Sequence, residues 1–194
     1  TRTIETSTDT TIVANFEINE YDIEVSSNDE SMGSVSEGGK FTHGTEVTLM
    51  ATPKEGHHFV SWNDGVTDAT RTITAVSDSV FVATFEINSY TIEVLSENEE
   101  LGNVTGGGTF DYGATVILTA IPEPHCDFVC WLDGNTENPR VFSANEDLVH
   151  TARFKKHLYK LSVSVNESLM GSVDGAGEYE YGTEISLVAL ANDG

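Results

Sequence analysis

The chain has 194 residues, with 9 Lys and Arg against 32 Asp and Glu, for a formal net charge of -23. A surface that acidic repels phosphate backbones and anionic lipid headgroups, which argues against nucleic-acid and membrane-surface binding. The 38% hydrophobic content, rich in Val, Ile, Phe and Tyr, excludes a disordered acidic tail, and no apolar run reaches transmembrane length.

In chain order, residues 1–17 (TRTIETSTDTTIVANFE) match residues 70–86 (TRTITAVSDSVFVATFE). Arg2 falls on Arg71, Ile4 on Ile73, Asp9 on Asp78, Ala14 on Ala83 and Phe16 on Phe85. Residues 18–86 then form one complete copy and residues 87–155 a second, with 30 of 69 positions identical and no gap. Residues 156–194 begin a third copy. There Tyr159 matches Tyr90, Gly171 matches Gly102, Gly182 matches Gly113, Leu187 matches Leu118, and Gly194 lies opposite Gly56. Self-similarity at a fixed period makes the repeat the unit of fold. A chain that opens and closes inside a repeat reads as an excerpt of a longer protein.

Within a copy the period is 2. Tyr21, Ile23 and Val25 alternate with Asp22 and Glu24, as Tyr90, Ile92 and Val94 do later, which predicts a half-buried strand. Gly33-Ser34-Val35, Gly38-Gly39 and Phe41 predict a second strand interrupted by a turn or bulge. A tight turn at His43-Gly44 (Tyr112-Gly113, Tyr181-Gly182) precedes a third strand with Val47, Leu49 and Ala51 on one face, ended by Pro53 as by Pro122. Phe59 and Trp62 are three apart, so a bulge near Val60 and Ser61 is needed to turn both inward. Asn63-Asp64-Gly65 is turn chemistry, and Ile73 with Ala75, then Phe81, Ala83 and Phe85, mark two last strands. No helical period occurs. The expectation is an all-β tandem of 69-residue units, six short strands each and roughly 28 Å across by size scaling. The short junction Glu86-Ile87-Asn88-Ser89 holds no Gly or Pro, which points to a semi-rigid array of touching copies.

The ordered pattern Tyr-x-Ile-x-Val, Gly-x-Val-x-x-Gly-Gly-x-Phe, Gly-Thr-x-Val-x-Leu-x-Ala-x-Pro, Phe-x-x-Trp-x-Asp-Gly, Arg-x-Ile and Ala-x-Phe resembles the Listeria–Bacteroides repeat family, in its divergent internalin-type B-repeat branch. The resemblance runs from Thr1 to Gly194. It implies a small β-grasp-like unit, a large secreted or surface-anchored bacterial parent, and no shared catalytic residue. The segments Trp62 to Arg71 and Trp131 to Arg140 are most like copies from Bacteroidetes-type bacteria.

None of the six histidines (43, 57, 58, 125, 150, 157) recurs at an offset of 69; His57 falls on Cys126, His58 on Asp127 and His150 on Phe81. No nucleophile elbow, phosphate loop or zinc-protease motif occurs. Cys126 and Cys130 stand about 13 Å apart on an extended strand, beyond the reach of a disulfide, and a zinc site with His125 lacks a fourth ligand; two free thiols is the favoured reading. The acidic turns at Asp64 and Asp68 and at Asp133 and Glu137 suit calcium less well than a plain solvated turn, in which Arg71 or Arg140 can pair with a nearby carboxylate. Trp62 and Trp131 are read as core residues, against the alternative of exposed sugar platforms.

These observations assign no catalytic residue, cofactor or metal ligand, and leave any ligand-binding residue unassigned. The expected function is a non-enzymatic module of a bacterial cell-surface or secreted protein, a semi-rigid spacer or stalk with a capacity for partner binding. The alternatives are an adhesin that takes a host glycan or protein on variable loops, and an accessory module of a secreted hydrolase. The expected partners are host or cell-surface proteins or glycans. Head-to-tail self-association is a further expectation, residues 1–17 supplying the last two strands that residues 156–194 lack.

Overall fold

A computed structural model of the chain describes residues 1, 3–5 and 7–192; Arg2 and Gly194, aligned above with Arg71 and Gly56, lie outside the described residues. The chain divides into two compact units, Thr1–Ile87 and Asn88–Gly194. Both are all-β, with no helix among the described residues.

The first unit holds seven strands: β1 Glu20–Ser27, β2 Gly33–Val35, β3 Gly39–Thr42, β4 Glu46–Pro53, β5 His57–Trp62, β6 Thr70–Thr74 and β7 Ser79–Ile87. They form a four-stranded sheet in the order β3-β1-β7-β5 and a three-stranded sheet in the order β2-β4-β6. The larger sheet is mixed. β1 runs parallel to β7, with Ile23 beside Ser79 and Ser27 beside Ala83, while β3 and β5 flank them antiparallel. This parallel pair is the grasp-like feature of the unit.

Six strands were expected and seven are found, because the glycine-rich stretch is not one bulged strand. β2 pairs with β4 in the small sheet and β3 pairs with β1 in the large one, so the chain changes sheets at residues 36–38. Gly38 makes the crossing feasible: a Cβ there would run into the carbonyl oxygen of Ile23 on β1.

The second unit repeats the plan with β8 Ser89–Ser96, β9 Gly102–Thr105, β10 Gly108–Asp111, β11 Thr115–Pro122, β12 Cys126–Trp131, β13 Arg140–Ser143 and β14 Leu148–Lys156. Its sheets are β10-β8-β14-β12 and β13-β11-β9, again with a parallel central pair, β8 and β14. The third copy follows with β15 Leu158–Leu161, β16 Gly171–Asp174, β17 Gly177–Glu180 and β18 Val188–Ala191, arranged as two separate two-stranded ribbons. Residues 162–165, which correspond to the second half of β1, are not strand. In β1 that half is the part that pairs with β7.

The expectation that residues 1–17 carry two strands is not met: the described residues before Glu20 form none. Their counterparts, β6 and β7, are held on one or both sides by neighbouring strands, and an extended segment without such partners satisfies its amides in water instead. Phe16 is 91% exposed, whereas its counterpart Phe85 is 1% exposed.

Each complete copy has its own core between its two sheets. In the first, Ile23, Val47, Leu49, Trp62, Ala83 and Phe85 are buried; in the second, Ile92, Val116, Leu118, Trp131, Ala152 and Phe154. Strand β4 shows how the alternation works, with Val47, Leu49 and Ala51 inward and their neighbours outward. The expected bulge is present in both copies. The β5–β7 register slips between Phe59 and Ser61, and the β12–β14 register slips between Phe128 and Cys130. One extra residue therefore places both aromatic rings on the core side, 5.7 Å apart between Phe59 and Trp62 and 5.6 Å apart between Phe128 and Trp131.

The end of each core is fitted ring against backbone. A Cβ on Gly33 would lie 2.5 Å from the ring of Phe85, and one on Gly102 would lie 2.6 Å from the ring of Phe154. Neither ring has room to retreat in a packed core. Gly102→Ala is expected to destabilise the second copy by about 1–3 kcal/mol, read as a lower urea midpoint for that copy with the first copy unchanged.

Candidate functional site

Three features gather the chemically distinctive side chains: the loop after the tryptophan, a histidine inside the second core, and an aromatic joint where the second copy meets the third.

The loop after the tryptophan is the same device twice. Trp62 is 1% exposed and Trp131 is fully buried, so each indole N–H must find an acceptor inside the protein. Trp62 Nε1 donates to the carbonyl of Asp68 at 3.0 Å, and Trp131 Nε1 to the carbonyl of Glu137 at 2.9 Å. The loop is bent to offer that carbonyl by the Asp-Gly turn, with Gly65 at φ 85° and Gly134 at φ 88°. Arginine then closes it. Arg71 Nη1 reaches Asp64 and Arg140 Nη1 reaches Asp133, both at 2.5 Å, and each guanidinium lies over a core-edge ring, Phe81 at 5.4 Å and Phe142 at 5.8 Å.

Two of the four carboxylates considered for calcium, Asp64 and Asp133, are paired with arginine, and the other two residues, Asp68 and Glu137, meet the indoles through their backbone carbonyls. The Arg71 hydrogen bonds hold Asp64 below the usual carboxylate range. Asp133 is lowered first by the N–H of Asn135 and then by Arg140. The ion pairs therefore contribute fully above the ordinary carboxylate range and are lost as pH falls through the depressed values. Among the described residues, no group of three or more His, Cys, Asp or Glu side chains is placed to hold a metal ion.

Cys126 and Cys130 are free and half-buried on β12. The first copy carries His57 and Ser61 in their places, so the strand does not depend on thiols.

His150 was invisible as a special residue in the sequence, where it only stood opposite Phe81. It is 8% exposed, and its Nε2 has no hydrogen-bond partner. Its ring packs against Trp131 and, at 5.1 Å, against Phe142. Burial lowers its pKa, Arg140 lowers it further, and Asp133 opposes this. The pair Phe142 and His150 replaces Ile73 and Phe81 of the first copy. A larger residue on one strand is matched by a smaller one on the other, which marks His150 as a core-filling residue.

The joint lies wholly within the second unit. β14 ends at Lys156 and β15 starts at Leu158, so His157 alone separates them. His125 sits in the left-handed region at φ 63°, where the first copy has Gly56 at φ 76°. Its ring stacks on Tyr181 at 3.9 Å and 15°, and its Nδ1 shares a 2.9 Å hydrogen bond with the Tyr159 hydroxyl. The His157 N–H donates to the His125 carbonyl at 2.8 Å, and the His157 imidazole meets Asp127 at 2.9 Å. The Tyr159 hydroxyl thus lies between the two imidazoles, 2.9 Å from His125 and 3.5 Å from His157 Nδ1. Together these groups fix the third copy to the second.

The profile of the divergent InlB B-repeat domain family matches the chain three times, at residues 23–89, 90–157 and 161–194. The chain belongs to this family of divergent InlB B-repeats. The family is associated with bacterial surface proteins and is typically non-catalytic. A protein of Evansella cellulosilytica titled "Putative membrane protein" is 33% identical over 127 residues, which is 62% of this chain; the chain spans 18% of that relative's length. Among solved structures, the Bacillus anthracis TIE protein aligns over 90% of this chain and 44% of its own at a TM-score of 0.40 and 12% identity.

The buried histidine gives a pH prediction with a definite sign. Its folded-state pKa lies below the ordinary 6.5, so the second copy has its full stability above that value and loses stability as pH falls through 6.5 toward the depressed folded value. The double substitution Phe142→Ile with His150→Phe, which installs the first copy's pair, is expected to abolish this slope. It should also raise stability at neutral pH by about 1 kcal/mol by removing an unsatisfied buried nitrogen. His150→Phe alone should gain less, because two large rings then compete for one space. Urea unfolding of the three proteins between pH 5 and pH 8 checks all of this.

Proposed function

We propose that this B-repeat chain is a non-enzymatic spacer of a bacterial cell-surface or secreted protein, converting repeat number into reach. The observation that carries the reading is the joint at His157. A flexible tether would leave the copies joined by unpaired chain. Here one residue separates β14 from β15, and a stacked ring, backbone hydrogen bonds and an imidazole–carboxylate contact lie across the step.

The aromatic residues of the joint favour a spacer over a glycan-binding site. Tyr159 and Tyr181 have Tyr90 and Tyr112 at the matching positions of the second copy, and Tyr21 and His43 in the first. Tyr21 lies against His43 and Tyr90 against Tyr112. A ligand site peculiar to one copy would instead be built from side chains that differ between copies. The net charge of -23 serves the same role, since it keeps neighbouring stalks apart.

Backbone relaxation by NMR on the full chain tests the spacer. Amides of β15–β18 are expected to report the same rotational correlation time as those of β8–β14. His125→Gly, which copies Gly56 and relieves the left-handed strain, should leave the second copy folded while β15–β18 begin to tumble faster. Independent tumbling in the unaltered protein would defeat the reading. Binding screens against glycans and matrix glycoproteins, with and without calcium, are expected to show no saturable partner; a hit abolished by loop substitutions would make the chain an adhesin module.

A further inference from the structure

The connectivity of each complete copy has a mechanical consequence. The chain enters the first copy at the start of β1 and leaves it at the end of β7, and enters and leaves the second through β8 and β14. In both copies the entering and leaving strands are adjacent, parallel and central in the four-stranded sheet. Tension along the chain pulls the start of one strand and the end of the other in opposite directions along a shared axis. Every hydrogen bond between them is then strained together. Had the two strands been antiparallel, the same tension would have opened them one bond at a time.

Both ends of the parallel pair are closed by side chains as well as by the ladder. At the entry end, the Asp78 carboxylate accepts the Asp22 N–H at 2.8 Å, and the Asp147 carboxylate accepts the Thr91 N–H at 2.7 Å. At the exit end, the ladder is extended by one bond in each copy, from the N–H of Asn28 to the carbonyl of Ala83 and from that of Glu97 to Ala152, both 2.9 Å. Beyond it the copies differ. The Asn28 side chain brackets the backbone of Phe85, donating to its carbonyl at 3.1 Å and accepting its N–H at 2.9 Å. In the second copy, Glu97 and Arg153 replace Asn28 and Thr84, and the guanidinium bridges the carboxylate at 2.8 and 3.2 Å. Two unrelated chemistries close the same place. The strands are also sheltered, with β3 and β5 outside them and Ile23, Ala83 and Phe85 buried beneath.

We propose that β1–β7 and β8–β14 are shear clamps, so that each complete copy is built to carry load along the chain. This deepens the spacer reading and takes its biological purpose from it. The third copy has no such pair among the described residues, because residues 162–165 are not strand.

Single-molecule pulling of the full chain tests the clamp, in a background with Cys126→His and Cys130→Ser, the residues of the first copy at those positions. Stretched from its termini, the protein should show two force peaks, each releasing roughly 230–250 Å of contour for 69 residues. Handles at Glu99→Cys and Lys156→Cys instead pull the same ends of β8 and β14 and peel them apart. The rupture force of the second copy should be lower in this direction than in the terminal one. Asn28→Ala with Asp78→Ala should lower the first copy's peak under terminal pulling and leave the second copy's unchanged. Equal forces in the two directions, or terminal peaks insensitive to the paired substitution, would overturn the proposal. A loose joint at His157 with intact directional peaks would defeat the spacer reading alone, whereas a rigid joint with no directional difference would defeat the clamp alone.

Discussion

A buried indole N–H must be given an acceptor, and much of each copy is arranged around that requirement. Trp62 and Trp131 are the largest side chains of their cores, ringed by phenylalanines. Leaving the nitrogen unsatisfied there would cost about 1–3 kcal/mol, a large part of what a unit of this size has to spare. The acceptor is a carbonyl six residues downstream. The intervening loop must therefore turn back on itself, which demands a glycine in the left-handed region and something to hold the turn shut. Arginine supplies the closure and lies across the rim of the core as it does so. The bulge that turns the indole inward also places the preceding phenylalanine beside it.

With the loop locked, the rest of the copy becomes a sandwich of two small sheets joined by a crossing at glycine. The strands that begin and end the copy are left side by side at the centre of the larger sheet. That placement brings the chain in and out of the copy on neighbouring parallel strands, at opposite ends of the sheet, and it lets copies follow one another with little chain between them. The joint at His157 uses the outer edge of this arrangement. The turn that opens β12 offers a left-handed residue, and in the second copy that residue is a histidine able to stack on the tyrosine of the next.

Much of this was legible in the sequence. The 69-residue offset, the all-β pattern, the inward tryptophans, the bulge between Phe59 and Trp62 and the pairing of Arg71 and Arg140 with carboxylates all follow from local rules of alternation, turn chemistry and burial. The misreadings have physical causes. The stretch from Gly33 to Phe41 reads as one strand because alternation cannot distinguish a bulge from a change of sheet; only the closeness of Gly38 to the β1 backbone does. Residues 1–17 carry the letters of two strands, yet a strand also needs neighbours, and none pairs with the described residues of this stretch. His125 drew notice only as a neighbour of the cysteines, and the Glu97–Arg153 bridge had no signal, since the first copy has Gly56, Asn28 and Thr84 there and the repeat comparison reads such differences as drift. Asp78 was visible only as the match of Asp9; the bonding of Asp78 and Asp147 to the entering strand depends on the parallel pairing, which periodicity does not reveal.

The lock between indole and loop can be observed directly through hydrogen exchange of the two tryptophan Nε1 protons by NMR on the intact chain. The account predicts two indole protons protected as strongly as the β7 and β14 amides of their own copies, so that each exchanges only when its whole copy opens. Rapid exchange of either indole while the strand amides of the same copy stay protected would contradict it, because the loop would then open freely and could not be what organises the unit.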